Sequence, residues 1–222
     1  MRYLALALFA EGPTDQEFLP RILFRLVTEI SAELSDQPVE VPELFIRPRS
    51  IRTRGGISLA ERVLALFGEA LDSVDLLFIH ADADSDPVTA YETRVQPCCN
   101  LLHAVHRHCR FQCIGVIPVR ETEAWAITDV NAVTRALGTT RRADELGLPD
   151  SPARAERVAD PKAVLRAAQH IVLGRSRQGR LQAAPLHAVL GETVQLAILR
   201  QMEAFRQLEI RLRDALQALW HT

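Results

Sequence analysis

The sequence predicts an α/β protein in which a mainly parallel sheet of four strands is flanked by helices and followed by a helical C-terminal region. Up to residue 120, apolar runs of strand length alternate with segments whose apolar residues recur at helical spacing. The runs lack polar alternation, which is typical of parallel strands covered on both faces. No convincing strand pattern follows Glu121. We expect an α/β core over 1–120 and an α-helical extension over 121–222 that packs on it as one structural unit.

The elements of the core follow in order along the chain. The predicted strands are the apolar runs at 3–10, 43–48, 74–81 and 112–119. Helical spacing predicts helices over 14–34, 59–71 and about 88–108. Thr14 is a predicted N-cap that forms a capping box with Glu17, and Ser58 is a predicted cap of the second helix.

The C-terminal region is predicted to be helical over 122–137, over 161–173 with Pro161 at its first turn, and in one or two helices over 186–220. Polar segments at 138–160 and 174–185 are predicted loops. An apolar stripe marks the last helix: Phe205, Leu208, Leu212, Leu216 and Leu219. We interpret this stripe as a packing face. It could also serve as a partner interface, through which a homodimer would form.

Composition narrows the class of protein. The chain has 222 residues with 48% hydrophobic residues, enough for one substantial core, and a net charge of −2 that does not by itself indicate a nucleic-acid partner. No apolar run reaches the roughly 20 residues that span a bilayer. The run at 3–10 is better interpreted as a buried strand than as a signal peptide. We expect a cytoplasmic protein that does not enter a membrane.

Four cysteines occur within a short segment: Cys98, Cys99, Cys109 and Cys113. His103, His106 and His108 lie among them, so a zinc site is one interpretation. The segment lacks the CxxC spacing of most structural zinc sites, which disfavours zinc. We expect ordinary core and surface residues whose thiols stay reduced in the cytoplasm.

Acidic residues follow two predicted strands at the point where each strand ends. Glu11 comes after the first strand, and Asp82, Asp84 and Asp86 come after the third. Parallel strands about 5 Å apart bring their carboxyl ends to one edge of the sheet, where ligands of such proteins bind. Converged carboxylates repel one another unless a cation neutralises them. Oxygen ligands suit Mg²⁺ or Mn²⁺, and Mg²⁺ held in this way commonly binds substrate phosphates, which predicts phosphoryl-transfer chemistry.

The motifs "AEGPTD" and "LLFIHADADSD" resemble the toprim fold of topoisomerases, bacterial primases, small ribosomal-RNA maturases and overcoming-lysogenization-defect (OLD) nucleases. That fold has a Glu after its first strand and a DxD after its third. A closer resemblance, carried also by "PVRETEAWAITD", "DPKAVL" and "LRQMEAFRQLEIRLRDAL", is to stand-alone OLD-like toprim proteins of unknown function. Members of that family are commonly encoded beside ATPases and are suspected nucleases of antiviral defence.

The resemblance implies roles for the acidic residues. Glu11 would transfer a proton or bind a metal, and Asp82 and Asp84 would be metal ligands for one or two ions. Glu123, in preference to Glu121, would serve a second metal. Asp86 has two interpretations: it binds a metal through water, or it caps the next helix, where Pro87 stands at the first position.

Basic residues are the candidates for substrate binding. Lys162 is the only lysine of the chain and lies in a motif shared with the resembled family, so it is a candidate phosphate contact. Arginines in two predicted loops suit a nucleic-acid backbone, although a solvated face would explain them as well: Arg52, Arg54, Arg175 and Arg177. Trp125 could stack on a base, but burial is the preferred interpretation.

These expectations combine into a function. We expect a Mg²⁺- or Mn²⁺-dependent nuclease of DNA or RNA, the effector of an antiphage defence system that works with an ATPase. The alternative is a toprim-like regulatory or binding subunit of an ATPase complex that does not cleave. The chain has no G-x-x-x-x-G-K-[ST] motif, so an energy-dependent step would come from another protein.

Overall fold

The computed structural model describes residues 1–10, 12–42, 45–46, 57–83, 86–177 and 183–220, without the side chains at 45–46, 175–177 and 183–185. Residue contacts group the chain into two compact units. The first, which we call the sheet unit, comprises 1–11, 23–117 and 207–222; the second, the helical unit, comprises 12–22 and 118–206. The predicted core (1–120) and extension (121–222) therefore each contribute residues to both units. In the described part of the chain, no helix has the length and apolar character needed to cross a membrane.

All described strands belong to the sheet unit and pair in parallel. The strands are β1 Arg2–Tyr3, β2 Leu6–Phe9, β3 Val39–Glu40, β4 Phe45–Ile46, β5 Leu76–His80 and β6 Gln112–Val116. β1 pairs with β3, and the other strands form one sheet in the order β4, β2, β5, β6. The predicted α/β class, with mainly parallel strands and flanking helices, is confirmed.

β2, β5 and β6 are shorter than the apolar runs that predict them. The predicted strand over 3–10 is interrupted at Leu4 and Ala5, so that β1 and β2 belong to different sheets. The backbone N–H of Ala5 donates to Oδ2 of Asp75 at 2.7 Å and its carbonyl accepts from the N–H of Asp75 at 2.9 Å. The carbonyl of Ala5 also accepts from the N–H of Leu76 at 3.1 Å, so Ala5 bonds to the residue that precedes β5 and to the first residue of that strand. The apolar pattern could not reveal this interruption, because it depends on a side chain 70 residues away.

Helices make up the rest of the regular structure. They are α1 Pro13–Leu34, α2 Leu59–Phe67, α3 Pro87–Ala90, α4 Gln96–Val105, α5 Glu123–Ala126, α6 Val130–Leu137, α7 Ala143–Leu146, α8 Pro152–Arg157, α9 Pro161–Arg177, α10 Ala183–Thr193, α11 Leu196–Leu199 and α12 Glu203–Trp220. A 3₁₀ turn at Gly68–Ser73 follows α2, and a π-helical turn at Tyr91–Val95 joins α3 to α4. After Pro118 the described residues contain no strand, as predicted.

Capping explains where several helices begin. Ser58 caps α2 in a complete capping box with Glu61, as predicted for this position. The predicted cap at Thr14 is wrong: α1 begins at Pro13, and Thr14 lies inside its first turn. The predicted continuous helix over 122–137 is also wrong, because Asp129 accepts the N–H of Ala132 at 3.1 Å and starts a new helix, α6.

The core of the sheet unit is a buried cluster in which α2 and α4 cover the strands. Phe67 of α2, Leu102 of α4 and Phe111 before β6 are at most 1% exposed, and Leu77 and Ile79 of β5 are fully buried. Burying large apolar side chains contributes about 1.5–3 kcal/mol each. Ala81 and Ala83, which follow β5, belong to the same cluster, so this packing holds the residues on either side of Asp82.

Two cysteines of the sheet unit form a disulfide. Cys99 on α4 bonds to Cys113 on β6, with 5.7 Å between their Cα atoms. The expectation that all four thiols stay reduced is therefore wrong for this pair. Cys98 and Cys109 are free. The spacing of the cysteines could not predict the bond, since it depends on how α4 packs against β6.

The last helix carries the predicted apolar stripe on a buried face. Phe205, Leu208, Leu212 and Leu216 are fully buried within the chain, and Leu219 is partly buried. The interpretation of the stripe as a packing face is confirmed. A homodimer through this helix stays a prediction.

Candidate functional site

Asp82 lies two residues after β5, at the carboxyl end of the sheet. Its carboxylate is 46% exposed and lies 3.3 Å from Nε2 of His80, whose side chain is 2% exposed. The backbone carbonyl of Asp82 accepts a hydrogen bond from Nη1 of Arg94 at 2.8 Å. The buried imidazole of His80 lies against the side chain of Asp82 and Arg94 hydrogen-bonds to its backbone, while the carboxylate stays accessible.

The register of the sheet determines what lies beside this position. β2 pairs with β5 from Leu6 and Leu76 to Phe9 and Ile79, so both strands end at the same edge. Glu11 is two residues beyond Phe9 in the sequence, as Asp82 is two beyond His80. Glu11 and Asp84 themselves lie outside the described residues, and their roles stay predictions.

Asp86 caps the helix that follows. Its Oδ1 accepts the backbone N–H of Thr89 at 3.1 Å, its Oδ2 accepts the Thr89 hydroxyl at 2.6 Å, and Pro87 occupies the first position of α3. These hydrogen bonds, the hydroxyl's first, lower the pKa of Asp86. The capping interpretation is confirmed. Both oxygens are engaged, and a metal ligand role through water stays a prediction.

The side chains of the four arginines that are predicted to bind substrate lie outside the described residues. Arg52 and Arg54 are not among the described residues. The backbone of Arg175 and Arg177 belongs to α9, so the predicted loop over 174–185 is wrong at its start, which is helical. The side chains of both arginines lie outside the described residues. Trp125 is fully buried and packs edge-on against Phe205 at 5.3 Å between ring centroids, which confirms burial as its role.

Glu123 is the centre of a second cluster, within the helical unit. It is the first residue of α5, and its side chain is 2% exposed. Oε1 accepts the hydroxyl of Thr14 at 3.1 Å and lies 3.5 Å from Nζ of Lys162 and 3.5 Å from Nε2 of His187. The three partners come from α1, α9 and α10. One carboxylate oxygen therefore joins four helices of this unit.

The charge of Glu123 is held in the ionised form. Burial by itself would raise its pKa, but the imidazole of His187 and the positive charge of Lys162 outweigh burial and lower the pKa of Glu123 to about 2. His187 is as deeply buried as Glu123, whereas Lys162 is 39% exposed. Lys162 can thus contact Glu123 and still present part of its side chain to solvent.

The neighbours Thr14 and Asp15 form side-chain hydrogen bonds with the neighbours Thr122 and Glu123, and these bonds hold the cluster together. Thr14 donates its hydroxyl to Glu123, and Thr122, which precedes Glu123, donates its hydroxyl to Asp15, which follows Thr14. The backbone N–H of Gly12 donates to the other oxygen of Asp15 at 3.1 Å. A Cβ at residue 12 would collide with that oxygen, so the close approach requires glycine.

The surrounding helices place the partners of Glu123. Asp160 accepts the N–H of Ala163 at 2.7 Å at the start of α9, which fixes the first turn that carries Lys162. Helix α10 lies so close to α1 that a Cβ at Gly191 would be 2.6 Å from the carbonyl oxygen of Phe18. That contact brings His187, one turn earlier in α10, to the start of α1.

The cluster combines predicted residues with others that the sequence did not indicate. Glu123 and Lys162 were predicted as site residues, and the structure brings them together. Asp15, Thr122 and His187 were missed, and Thr14 was assigned to a cap. A signal for the threonines existed: "PTD" and "ETE" each place Thr beside a carboxylate. His187 stands in an apolar helix with no pattern that distinguishes it.

Comparison with known proteins gives this chain no relative: no family model, no curated protein and no solved structure matches it.

Proposed function

We propose that this chain is a divalent-metal-dependent nuclease of toprim-like architecture that hydrolyses phosphodiester bonds of DNA or RNA. One observation supports this most: the parallel pairing of β2 with β5, after which the accessible carboxylate of Asp82 follows at the carboxyl edge of the sheet. Ligands of open parallel sheets bind at that edge. In the sequence, Glu11 stands two residues after β2 and Asp84 four residues after β5.

The residue types proposed for this site fit Mg²⁺ or Mn²⁺. Asp82 offers an exposed oxygen, the two further residues proposed as ligands are carboxylates, and hard oxygen donors are what these ions prefer. We propose Asp82 and Asp84 as ligands, with Glu11 as a ligand or as the group that moves a proton. One or two bound ions would lower the pKa of a water and offset the charge on the phosphate.

His80 is a positioning residue in this proposal. Its buried imidazole faces Asp82 at 3.3 Å, so it restricts the rotation of the carboxylate without reaching solvent itself. Arg94 holds the backbone of the same residue. A carboxylate oriented before a cation arrives loses less conformational entropy on binding, which raises its affinity for the ion.

Lys162 is proposed as a contact to a phosphate of the nucleic acid. It is partly exposed, and Glu123 fixes its ammonium group from the buried side. As the only lysine of the chain, it is a compact point charge among arginines. We keep Glu123 as a candidate ligand of a second metal. To bind an ion, the carboxylate of Glu123 would have to give up its contact with Lys162 and contact the ion instead.

The resemblance to stand-alone OLD-like toprim proteins extends this proposal to partners. We propose an ATPase partner, since the chain has no phosphate-binding loop of its own, and a role as the effector of an antiphage defence system. We propose the cytoplasm as its location, because nucleic-acid substrates occur there; the Cys99–Cys113 bond would then be one of the uncommon disulfides of a cytoplasmic protein. A homodimer through α12 would have to use residues outside the buried stripe.

The test is cleavage by the full-length protein. Labelled single- and double-stranded DNA and RNA are incubated with Mg²⁺ or Mn²⁺, with and without a candidate ATPase partner, and with EDTA as the metal-free control. We expect metal-dependent cleavage that Asp82→Asn lowers by roughly 100-fold or more, the usual effect of removing one electrostatic stabiliser. Asp36→Asn, at an exposed aspartate after α1, is the matched control and should keep full activity.

Two results would contradict the proposal. If Asp82→Asn cleaves as fast as the wild type, the carboxyl edge of the sheet is not the catalytic site. Absence of cleavage under every condition, combined with an Asp82→Asn variant that keeps its biological activity, would favour the alternative of a regulatory subunit that does not cut. Thermal melting of each variant shows that a loss of activity is not a loss of fold.

A further inference from the structure

A second group of possible metal ligands lies in the sheet unit, separate from the residues assigned above. It consists of Asp72, His106, His108 and Cys109, each of which offers one ligand atom, and these four atoms lie within 4.8 Å of one another. Asp72 and His108 are exposed, and the other two are partly buried. This cluster offers nitrogen and sulfur ligand atoms, whereas the acidic residues proposed at the sheet edge offer only oxygen.

Two tight turns bring the four side chains together. Asp72 lies in the 3₁₀ turn after α2, in which Leu71 is fully buried. The other three lie after α4, where the N–H of Cys109 donates to the carbonyl of His106 at 3.0 Å and closes a turn. Buried neighbours therefore hold both segments in place, whereas the ligand atoms themselves face outward.

Two further contacts fix the segment that carries three of the ligands. His103 stacks on the buried ring of Phe111 at 4.6 Å, which anchors the end of α4 beside the start of β6. The Cys99–Cys113 bond closes the stretch of chain between α4 and β6, and all three ligands lie inside it. Fewer conformations are open to a closed loop, so the ligands lose less entropy when they bind an ion.

The contacts within the cluster centre on one oxygen. Oδ1 of Asp72 accepts from Sγ of Cys109 at 2.7 Å and lies 3.2 Å from Nε2 of His108. Hydrogen bonds of this kind hold the cluster without an ion. Ligand atoms of a tetrahedral ion bound at 2.0–2.3 Å are roughly 3.3–3.8 Å apart. The atoms of Asp72 and His108 are already near that spacing, and the thiol and carboxylate need to separate by about 1 Å.

The chemistry of the donors selects among metals. Thiolate sulfur and imidazole nitrogen suit zinc, whereas Mg²⁺ and Ca²⁺ prefer oxygen alone. One thiolate and one carboxylate supply two negative charges, which balance Zn²⁺, and the two imidazoles complete a tetrahedron without adding charge. The thiol of Cys109 donates a hydrogen bond to Asp72, and its proton would pass to solvent when a metal binds, as in other thiolate sites.

We propose that these four side chains form a structural zinc site. Four protein ligands leave no open coordination position, so the ion joins the 3₁₀ turn after α2 to the turn after α4 and catalyses no reaction there. The absence of a CxxC pair disfavoured zinc at the level of the sequence. The structure supplies the missing ligand from Asp72, more than 30 residues earlier in the chain.

The test is metal binding by full-length protein freed of metal with a chelator. Isothermal titration with ZnCl₂ should give one ion per chain. Co²⁺ in place of zinc should give a thiolate-to-cobalt charge-transfer band. Cys109→Ser should abolish that band, and His108→Ala should weaken zinc binding by about 10–100-fold or more, the loss seen even for residues that only support ligands. Added zinc should raise the melting temperature of the wild type and not of Cys109→Ser.

Cys98→Ser and His170→Ala are the matched controls, since Cys98 is the other free cysteine and His170 lies on α9. Both should bind zinc as the wild type does. Binding that survives in Cys109→Ser with unchanged affinity, or no binding by the wild type, would overturn the proposal. The readouts are independent of nuclease activity, so this proposal and the proposed function can fail separately.

Discussion

The ammonium group of Lys162 lies 3.5 Å from a carboxylate oxygen of Glu123 that solvent does not reach. An ion pair with one buried partner costs more free energy to break than a surface pair, because water cannot solvate the buried charge once its partner is removed. The side chain of Lys162 is 39% exposed, so the strength of this pair lies between that of a surface pair and that of a fully buried pair.

Removing the lysine should destabilise the helical unit. We expect Lys162→Met to lower the free energy of unfolding by about 1–2 kcal/mol at neutral pH. That is less than the 3–5 kcal/mol of a fully buried pair, because water screens part of the Lys162 side chain. Urea unfolding measures the change. Arg166→Met, which removes an exposed cation from the same helix, should have little effect, and equal losses for the two variants would contradict this account.

The charge of Glu123 should make stability depend on pH in a defined window. Its pKa is lowered from 4.5 to about 2 in the folded chain. A carboxyl with a lowered pKa stabilises the fold fully above its ordinary value, and loses this contribution as pH falls towards its folded pKa. The difference in unfolding free energy between wild type and Glu123→Gln should therefore shrink from about pH 5 to about pH 2. A difference that stays constant over this window would show that the pKa is not lowered.

The hydroxyl of Thr14 should matter more than an ordinary surface hydroxyl. Its acceptor is an ionised carboxylate, and hydrogen bonds to charged groups contribute about 1.5–3 kcal/mol. Thr14→Val keeps the shape and removes the donor, so we expect a loss in this range by urea unfolding. Thr14→Ser keeps the donor and should recover most of it. Equal losses for Val and Ser would indicate a packing effect instead of the hydrogen bond.

Gly191 should not tolerate a methyl group. Alanine usually stabilises a helix relative to glycine by about 1 kcal/mol. At this position the added Cβ would approach the carbonyl oxygen of Phe18 to 2.6 Å, so α10 would have to move away from α1. We expect Gly191→Ala to destabilise the chain by about 1–3 kcal/mol. Gly68→Ala is the control, because its nearest neighbour would be 3.6 Å away, and a neutral Gly191→Ala would contradict the close approach.

The parallel class of the fold could be predicted because its signal is local. β2, β5 and β6 are continuous apolar runs whose central residues are fully or almost fully buried. β1 and β3 have two residues each and are partly exposed, so no periodicity marks them. The breaks after Tyr3 and before Asp129 were missed for a common reason: each depends on a polar side chain that bonds to a backbone group.

The candidate site could be predicted only in part. The positions of Asp82, Glu123 and Lys162 follow from short motifs, which are visible in the sequence. Their partners come from distant segments: Thr14 is 109 residues from Glu123 along the chain. Contacts of this separation leave no local pattern, and neither does the choice of Asp72 as a neighbour of Cys109.

The helical unit has a consequence for how the chain folds. It combines residues 12–22 with residues 118–206, and the sheet unit needs residues 207–222 as well as the early strands. The helical unit cannot be completed before residue 206 has been made, and the sheet unit cannot be completed before residues 207–222 have been made. Pairing over such separations slows folding and leaves apolar surface uncovered in the meantime. We therefore expect the nascent chain to depend on chaperones until its last helix emerges.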